Sequence, residues 1–141
     1  MRKIRTSKKG FTLAELLIVV AIIGVLVGIS IPIFSAQLKK SRIATNQANA
    51  RAAYAAAKAA YLDTDGVKGG SYVVDTGVFT PVTGTATVAD GATEVATTQG
   101  INTWASNTTI SDAIDDKVAT TWYITLDTNG QVTKVTADGL T

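Results

Sequence analysis

The feature that most constrains this chain is an apolar run over residues 11–34 that contains a single charged residue, Glu15. These 24 residues would form an α-helix of roughly 36 Å, and the hydrocarbon core of a bilayer is about 30 Å thick. Five cations precede the run: Arg2, Lys3, Arg5, Lys8 and Lys9. Lys and Arg residues flanking an apolar span stay on the cytoplasmic side. The sequence therefore predicts a helix that spans the membrane with its N-terminus in the cytoplasm.

Three interpretations of this run compete. A cleaved secretory signal has an apolar core of about 7–15 residues followed by a small-x-small cleavage site. This run is longer, and Ser35-Ala36 is a poor match to such a cleavage site. A plain membrane anchor fits the length, but an ionised carboxylate within hydrocarbon is costly and usually functional. The third interpretation, in which the protein uses Glu15, is favoured, and the plain anchor stays as its alternative.

The residues around Glu15 carry a family resemblance. The segment Gly10-Phe11-Thr12-Leu13-Ala14-Glu15-Leu16-Leu17 follows a short basic leader and precedes a long apolar run. It resembles the N-terminus of a type IV prepilin. The resemblance is specific over residues 8–32 and extends to about residue 62 only in architecture. Ala14 stands where many relatives have Val, which is a mild departure.

The resemblance implies a role for three residues. Gly10 would be the last residue of a leader that a membrane prepilin peptidase removes. Phe11 would become the new N-terminal residue and would be N-methylated on its amine. Glu15 would be the acid that the family needs for assembly.

The chemistry of these residues is consistent with that role. Cleavage after Gly10 creates an amine at Phe11, and helix geometry places Glu15 one turn further on the same face. The positive end of the helix dipole repels an amine at the helix N-terminus, so a carboxylate close to it is favourable. If Glu15 reaches the Phe11 amine of a neighbouring copy, both charges are neutralised and the register between two apolar helices is fixed.

Three further residues of the apolar run affect its helix. Gly24 and Gly28 form a small-xxx-small pair, which allows apolar helices to approach closely. Pro32 removes a backbone donor, so residues 24–32 are predicted to be the weakest part of the helix. In the family, the matching segment loses helix locally inside the filament. A proline kink tolerated at the membrane edge is the alternative.

The rest of the chain predicts an α+β fold. Residues 35–62 continue the helix with high intrinsic propensity, and a stripe of residues spaced by three and four should pack on a sheet: Ile43, Gln47, Ala50, Tyr54, Ala57 and Tyr61. Packing is favoured over an electron-carrying role for Tyr54 and Tyr61. The predicted segments are a leader at 1–10, a filament-core or membrane helix at 11–34, an amphipathic helix at 35–62 and a β head at 63–141.

The head is predicted to be an antiparallel sheet of three or four strands, joined to the helix by a loop over about residues 63–120. The clearest signal is a hairpin of residues 121–126 and 131–136 around an Asn129-Gly130 turn. Trp122, Ile124 and Leu126 fall on one face with Val132, whereas Val135 is out of that alternation. Short strands or extended loops are predicted at 71–74, 78–82, 85–89 and 94–97, and a short helical segment at 107–118.

Composition excludes several kinds of site. The chain has no Cys and no His, so disulfides, Cys nucleophiles, His bases and the usual zinc sites are excluded, and no cofactor or metal is predicted. Asp63-Thr64-Asp65-Gly66 is interpreted as a turn in preference to a calcium loop, because the bidentate Glu is missing. Asn107 begins a weak N-glycosylation match, and the absence of a disulfide weakly favours a Gram-positive source.

The net charge of the whole chain is also misleading. Its value of +2 becomes −3 once the five leader cations are removed, so the basic character gives no support for nucleic-acid binding.

We therefore expect a structural, non-enzymatic subunit that is held in the cytoplasmic membrane and then polymerised into an extracellular type IV pilus. Its expected partners are copies of itself, the prepilin peptidase and methyltransferase, and an assembly platform protein with its ATPase. A pseudopilin of a type II secretion or competence system and a low-copy minor pilin are the alternatives. A hydrolase using Asp112, Asp115 and Asp116 is the least favoured interpretation, since crowded acids usually form a solvated face.

Overall fold

The computed structural model describes residues 10–84, 87–97, 114 and 117–140. Within them, helix α1 spans Leu13–Asp63, and five strands follow: β1 Gly69–Val73, β2 Val78–Val82, β3 Thr93–Thr97, β4 Thr121–Leu126 and β5 Val132–Asp138. The long helix and the antiparallel sheet confirm the predicted α+β class. The contacts divide the chain into two compact units, Met1–Leu38 and Lys39–Thr141.

The first unit exposes its apolar surface. Every residue from 10 to 38 is exposed, and α1 is long and apolar enough to cross a membrane. The hydroxyls of Ser30 and Ser35 donate to the carbonyls of Leu26 and Ile31, at 2.7 and 3.1 Å. These bonds satisfy polar groups that hydrocarbon could not satisfy. The helix is continuous through Pro32.

The second unit is built on a five-stranded sheet in the order β2-β1-β4-β5-β3. Neighbouring strands are antiparallel throughout. Strand β4 alternates half-buried and buried residues, as expected for a strand with one face on a core. The side chains of Trp122 and Ile124 are fully buried on that face. The predicted hairpin is confirmed, with β5 extending two residues beyond its predicted end.

The sheet packs against the part of α1 that begins at Lys39. Ala50, Ala53 and Ala57 are fully buried in the same core as Trp122 and Ile124. The small Ala side chains allow the helix backbone to lie close to the sheet, while Tyr54 and Tyr61 pack at the margin of this core. The predicted stripe and the packing interpretation of the two Tyr residues are therefore confirmed. Asn46 and Ala53 were not assigned to the stripe but are buried in it.

Asn46 fastens a segment of the head to the helix. Its Nδ2 donates to the Lys117 carbonyl at 2.8 Å, and its Oδ1 accepts from the Ala119 amide at 3.0 Å. The side chain of Asn46 is 3% exposed, so these two bonds satisfy polar groups that would otherwise be buried without partners. These bonds thereby hold the segment that leads into β4 against α1.

The turn of the β4–β5 hairpin is also attached to the helix. Lys58 Nζ donates to the Gly130 carbonyl, and the Tyr61 hydroxyl donates to the Thr128 carbonyl at 3.0 Å. Gly130 has a φ of 71°, and a Cβ atom there would overlap the Tyr61 ring. Only glycine therefore satisfies both the turn and the contact with the helix.

The sheet has more strands than predicted. The predicted count was three or four. The region between residues 63 and 120 contributes β1, β2 and β3, which coincide with the short strands or extended loops predicted at 71–74, 78–82 and 94–97. Gly69 and Gly70 resemble turn residues in sequence, but they begin β1. Glycine is suited to position 70 because a Cβ atom there would meet the Phe79 ring across the strand pair. Of the segment predicted at 85–89 as a short strand or an extended loop, the described residues 87–89 are not in a strand, which leaves the loop alternative.

The prediction for Val135 was also wrong. Val135 is 2% exposed and belongs to the core. The register shifts between Thr125, which pairs with Lys134, and Leu126, which pairs with Val132. Thr133 is the extra residue of this β-bulge, so the residues beyond it change face. The prediction assumed unbroken alternation and therefore placed Val135 on the wrong side.

Most of the predicted helical segment at 107–118 lies outside the described residues. The same holds for Asn107 and for the three acids of the hydrolase interpretation.

Candidate functional site

The predicted cleavage site lies just before the helix. Gly10, Phe11 and Thr12 precede the first residue of α1, and all three are exposed. The Phe11 side chain is 85% exposed. The bond between Gly10 and Phe11 therefore lies in exposed backbone outside the helix, where a protease could reach it. The leader residues 1–9 lie outside the described part of the chain.

Thr12 and Glu15 form a reciprocal capping box at the start of α1. The Glu15 amide donates to Thr12 Oγ1 at 3.3 Å, and the Thr12 amide donates to Glu15 Oε2 at 2.7 Å. The Thr12 hydroxyl also donates to Oε2, at 2.9 Å. The Leu16 amide donates to the Thr12 carbonyl at 3.2 Å, which identifies Thr12 as the N-cap residue. Two amides that a helix start leaves without partners are thus satisfied.

Thr12 is the site residue that the sequence analysis missed. Its signal was present in the chain, because Thr12-Leu13-Ala14-Glu15 has the spacing of a capping box. The interpretation of Glu15 as an acid in the membrane did not include this local role. Glu15 is thus held by its own chain before any partner arrives.

The carboxylate lies beside an apolar surface. Phe11, Leu16, Ile18 and Val19 line a shallow groove together with Glu15. The Thr12 donors reach only one carboxylate oxygen, and a carboxylate offers about four acceptor positions. Glu15 can therefore accept a further donor, such as an amine, while the capping box remains intact.

The other predicted site residues are not part of this arrangement. Gly24 and Gly28 lie further along the same helix, and a Cβ atom at either would meet nothing within 4 Å. Their small size is not required by packing within the chain. The predicted loss of helix near Pro32 concerns the filament and stays a prediction.

Among the described residues, no three of the His, Cys, Asp and Glu side chains cluster as a metal site would require. The helix ends at Asp63, where the Asp63-Thr64-Asp65-Gly66 turn was predicted.

The comparisons with known proteins agree with this geometry. Residues 5–31 match the family model described as the prokaryotic N-terminal methylation motif. The matched region contains the predicted cleavage site, the capping box, Gly24 and Gly28. The searches of curated proteins and of solved structures gave no significant match. Residues 5–31 therefore carry the N-terminal methylation motif, the class III signal peptide of type IV pilins and pseudopilins, and this motif supports a pilin-like or pseudopilin precursor.

Proposed function

We propose that this chain is a structural subunit of a type IV pilus. It is inserted in the cytoplasmic membrane, cleaved after Gly10, N-methylated at Phe11 and polymerised into extracellular filaments. The observation that carries the proposal is the placement of Glu15. This acid is fixed at the start of an exposed apolar helix, three residues after the Thr12 that caps it and four after the new N-terminus.

The environment of Gly10 supports cleavage at this position. A Cβ atom added to Gly10 would meet nothing within 4 Å, and Gly10 is not among the glycines with positive φ. Neither packing nor backbone conformation within the chain requires glycine there. A requirement imposed from outside, by the binding cleft of a peptidase, accounts for it.

The exposed surface of the first unit supports polymerisation. Large apolar side chains from Leu13 to Leu38 are exposed, and such a surface requires a lipid or protein environment. The membrane provides it before assembly, and the helices of other copies provide it within a filament. Glu15 would then accept a hydrogen bond from the Phe11 amine of a neighbouring copy, which sets the register.

Partner proteins would carry out the catalytic steps of processing and assembly. The prepilin peptidase and methyltransferase process the N-terminus, and the platform protein and its ATPase supply the energy for extension. The subunit itself needs no cofactor, binds no nucleic acid and catalyses no reaction. Adhesion, twitching motility, aggregation or DNA uptake would be properties of the fibre.

The same motif fits a pseudopilin of a secretion or competence system, and also a low-copy minor pilin. Pseudopilins share the signal peptide that residues 5–31 match. The abundance and location of the assembled chain separate these alternatives.

Mass spectrometry of sheared surface filaments tests the proposal. We expect an abundant protein that begins at Phe11 and carries one methyl group on its amine. Mature protein that still begins at Met1, or that is cut near Ala36 and released, would contradict it. Recovery of the chain in a short periplasmic fibre would favour the pseudopilin. Recovery of only trace amounts in the surface filaments would favour the minor pilin.

A further inference from the structure

The turn of the β4–β5 hairpin contains the one Asn-Gly pair of the sequence, Asn129-Gly130. In such a pair, the backbone nitrogen of the glycine can attack the side-chain carbonyl carbon of the asparagine. Glycine favours this attack because it has no side chain to obstruct the approach and the fewest conformational limits. Asn129 is exposed, so water reaches its side chain. The pair is therefore chemically suited to deamidation.

Deamidation of this pair takes two steps. In the first, the Gly130 nitrogen loses its proton and bonds to Cγ of Asn129, and the side-chain nitrogen leaves as ammonia. The product is a cyclic succinimide, which water then opens at either of its carbonyl groups. One opening leaves aspartate at position 129. The other leaves isoaspartate, in which the backbone runs through the former side chain and gains a methylene group.

The fold of the turn restrains the attacking nitrogen. The Gly130 amide donates to the Asp127 carbonyl at 3.0 Å, and Gly130 is buried. Asp127 Oδ1 accepts from the Asn129 and Gln131 amides at 2.8 and 2.7 Å. The proton that the first step must remove therefore points to a carbonyl oxygen and not to water. The amides on both sides of it are fixed by the same aspartate.

Helix α1 holds the same turn from outside. The Tyr61 hydroxyl donates to the Thr128 carbonyl at 3.0 Å. Lys58 Nζ donates to the Gly130 carbonyl, so the two bonded carbonyls belong to the residues before and after Asn129. Gly130 also lies against the Tyr61 ring, which a Cβ atom at that position would overlap. The backbone around Asn129 cannot rotate freely while these contacts persist.

We propose that Asn129 is a deamidation site that is protected while the turn is docked on α1. A folded subunit keeps its asparagine, and a subunit whose turn leaves the helix is modified. The isoaspartate product stays undocked, because the added methylene displaces Gly130 from Tyr61. Its new carboxylate also lies close to that of Asp127, and like charges repel. The inference is independent of the proposed function.

The test follows the full chain in detergent over a time course, in parallel with the same chain in denaturant. Trypsin releases residues 118–134, in which Asn129 is the sole asparagine. Mass spectrometry measures the conversion of amide to acid at Asn129, and isoaspartyl methyltransferase labels the isoaspartate. We expect deamidation to be at least about tenfold slower in the folded chain, since opening the turn breaks two hydrogen bonds to the helix.

Variants of α1 identify the contacts that protect the site. Tyr61→Phe removes the donor to the Thr128 carbonyl and keeps the ring. It should deamidate about fivefold faster than the natural chain, the factor for losing one hydrogen bond of ordinary strength. Lys58→Met removes the other donor and should also accelerate the reaction. The matched control, Tyr54→Phe, removes the hydroxyl of another half-buried tyrosine and keeps the ring beside Lys58; it should react at the natural rate.

Four results would overturn the proposal. Equal rates in the folded and the denatured chain would show that the fold gives no protection. The natural rate in both Tyr61→Phe and Lys58→Met would exclude the contacts with α1. Equal acceleration in Tyr54→Phe would attribute the effect to general loosening of the helix. Finally, the isoaspartyl fraction should unfold at a lower denaturant concentration than the unmodified fraction, and equal stability of the two would refute its undocked state.

Discussion

The amide and the hydroxyl of Thr12 donate to the same oxygen of Glu15, at 2.7 and 2.9 Å. This relationship gives the acid two roles, because Glu15 caps its own helix and also faces an apolar groove where a neighbouring chain would lie. The two roles can be separated by substitution.

Thr12→Val removes the hydroxyl and keeps the size of the side chain and the charge of Glu15. Losing an N-cap side chain costs about 1 kcal/mol of helix stability, so the first turn should fray and filament yield should fall several-fold. Thr12→Ser keeps the hydroxyl and should behave as the natural chain does. Yield is measured by shearing and weighing filaments, and normal yield from Thr12→Val would show that the capping box is irrelevant to assembly.

Glu15→Gln keeps an oxygen that can accept from Thr12 but removes the negative charge. We expect the variant to insert and to lose its leader, yet to form no filaments, because the Phe11 amine of the next copy would meet no carboxylate. Glu15→Ala should show the same loss. Carbonate extraction checks insertion, mass spectrometry checks the leader, and electron microscopy counts filaments. Filaments at the natural level on either variant would refute the role of the acid.

Gly130→Ala combines two kinds of damage, because φ is positive and the new Cβ overlaps the Tyr61 ring. We expect the free energy of unfolding to fall by at least ~2 kcal/mol, measured by denaturant titration in detergent with Trp fluorescence.

Two other glycines are matched controls for this prediction. Gly91→Ala has a positive φ but open space, and should cost about 1 kcal/mol. Gly84→Ala has open space and no positive φ, and should change stability by less than about 0.5 kcal/mol. Equal losses at Gly130 and Gly91 would show that the Tyr61 contact contributes nothing.

Asn46→Ala removes both side-chain bonds to the Lys117 carbonyl and the Ala119 amide. Leaving these backbone groups without partners should cost about 1–3 kcal/mol of unfolding free energy, even though Ala favours the helix. Asn49→Ala, on the same helix and only half-buried, supplies the control and should be close to neutral. The same denaturant titration measures both, and equal stability of the two variants would contradict a fastening role for Asn46.

The accuracy of the sequence analysis followed the strength of the local signals. The helix was predicted because its apolar run, Ala-rich stretch and stripe all indicate the same structure. The β4–β5 hairpin was predicted because Asn129-Gly130 specifies a tight turn between alternating residues. Strand β1 was missed at its start since its two glycines serve a close approach between strands, which resembles a turn in sequence. Val135 was misplaced because a bulge depends on pairing with another strand.

The candidate site shows the same division. Gly10, Phe11 and Glu15 were identified from sequence because their chemistry is unusual at the edge of an apolar run. Thr12 was overlooked although its spacing to Glu15 was visible, since Thr before a helix is common. The role of Asn46 could not be predicted, because its two partners lie more than 70 residues away in sequence.

All of the hydrogen bonds of the capping box lie on the mature side of the scissile bond. Proteolysis can therefore release the leader without rearranging the Glu15 carboxylate. It creates the amine of Phe11 on the mature chain, while the new carboxylate of Gly10 leaves with the leader. In the contact between neighbouring subunits, the acceptor, the Glu15 carboxylate, would then already be in position in the precursor. Maturation would add only the donor, the amine of Phe11.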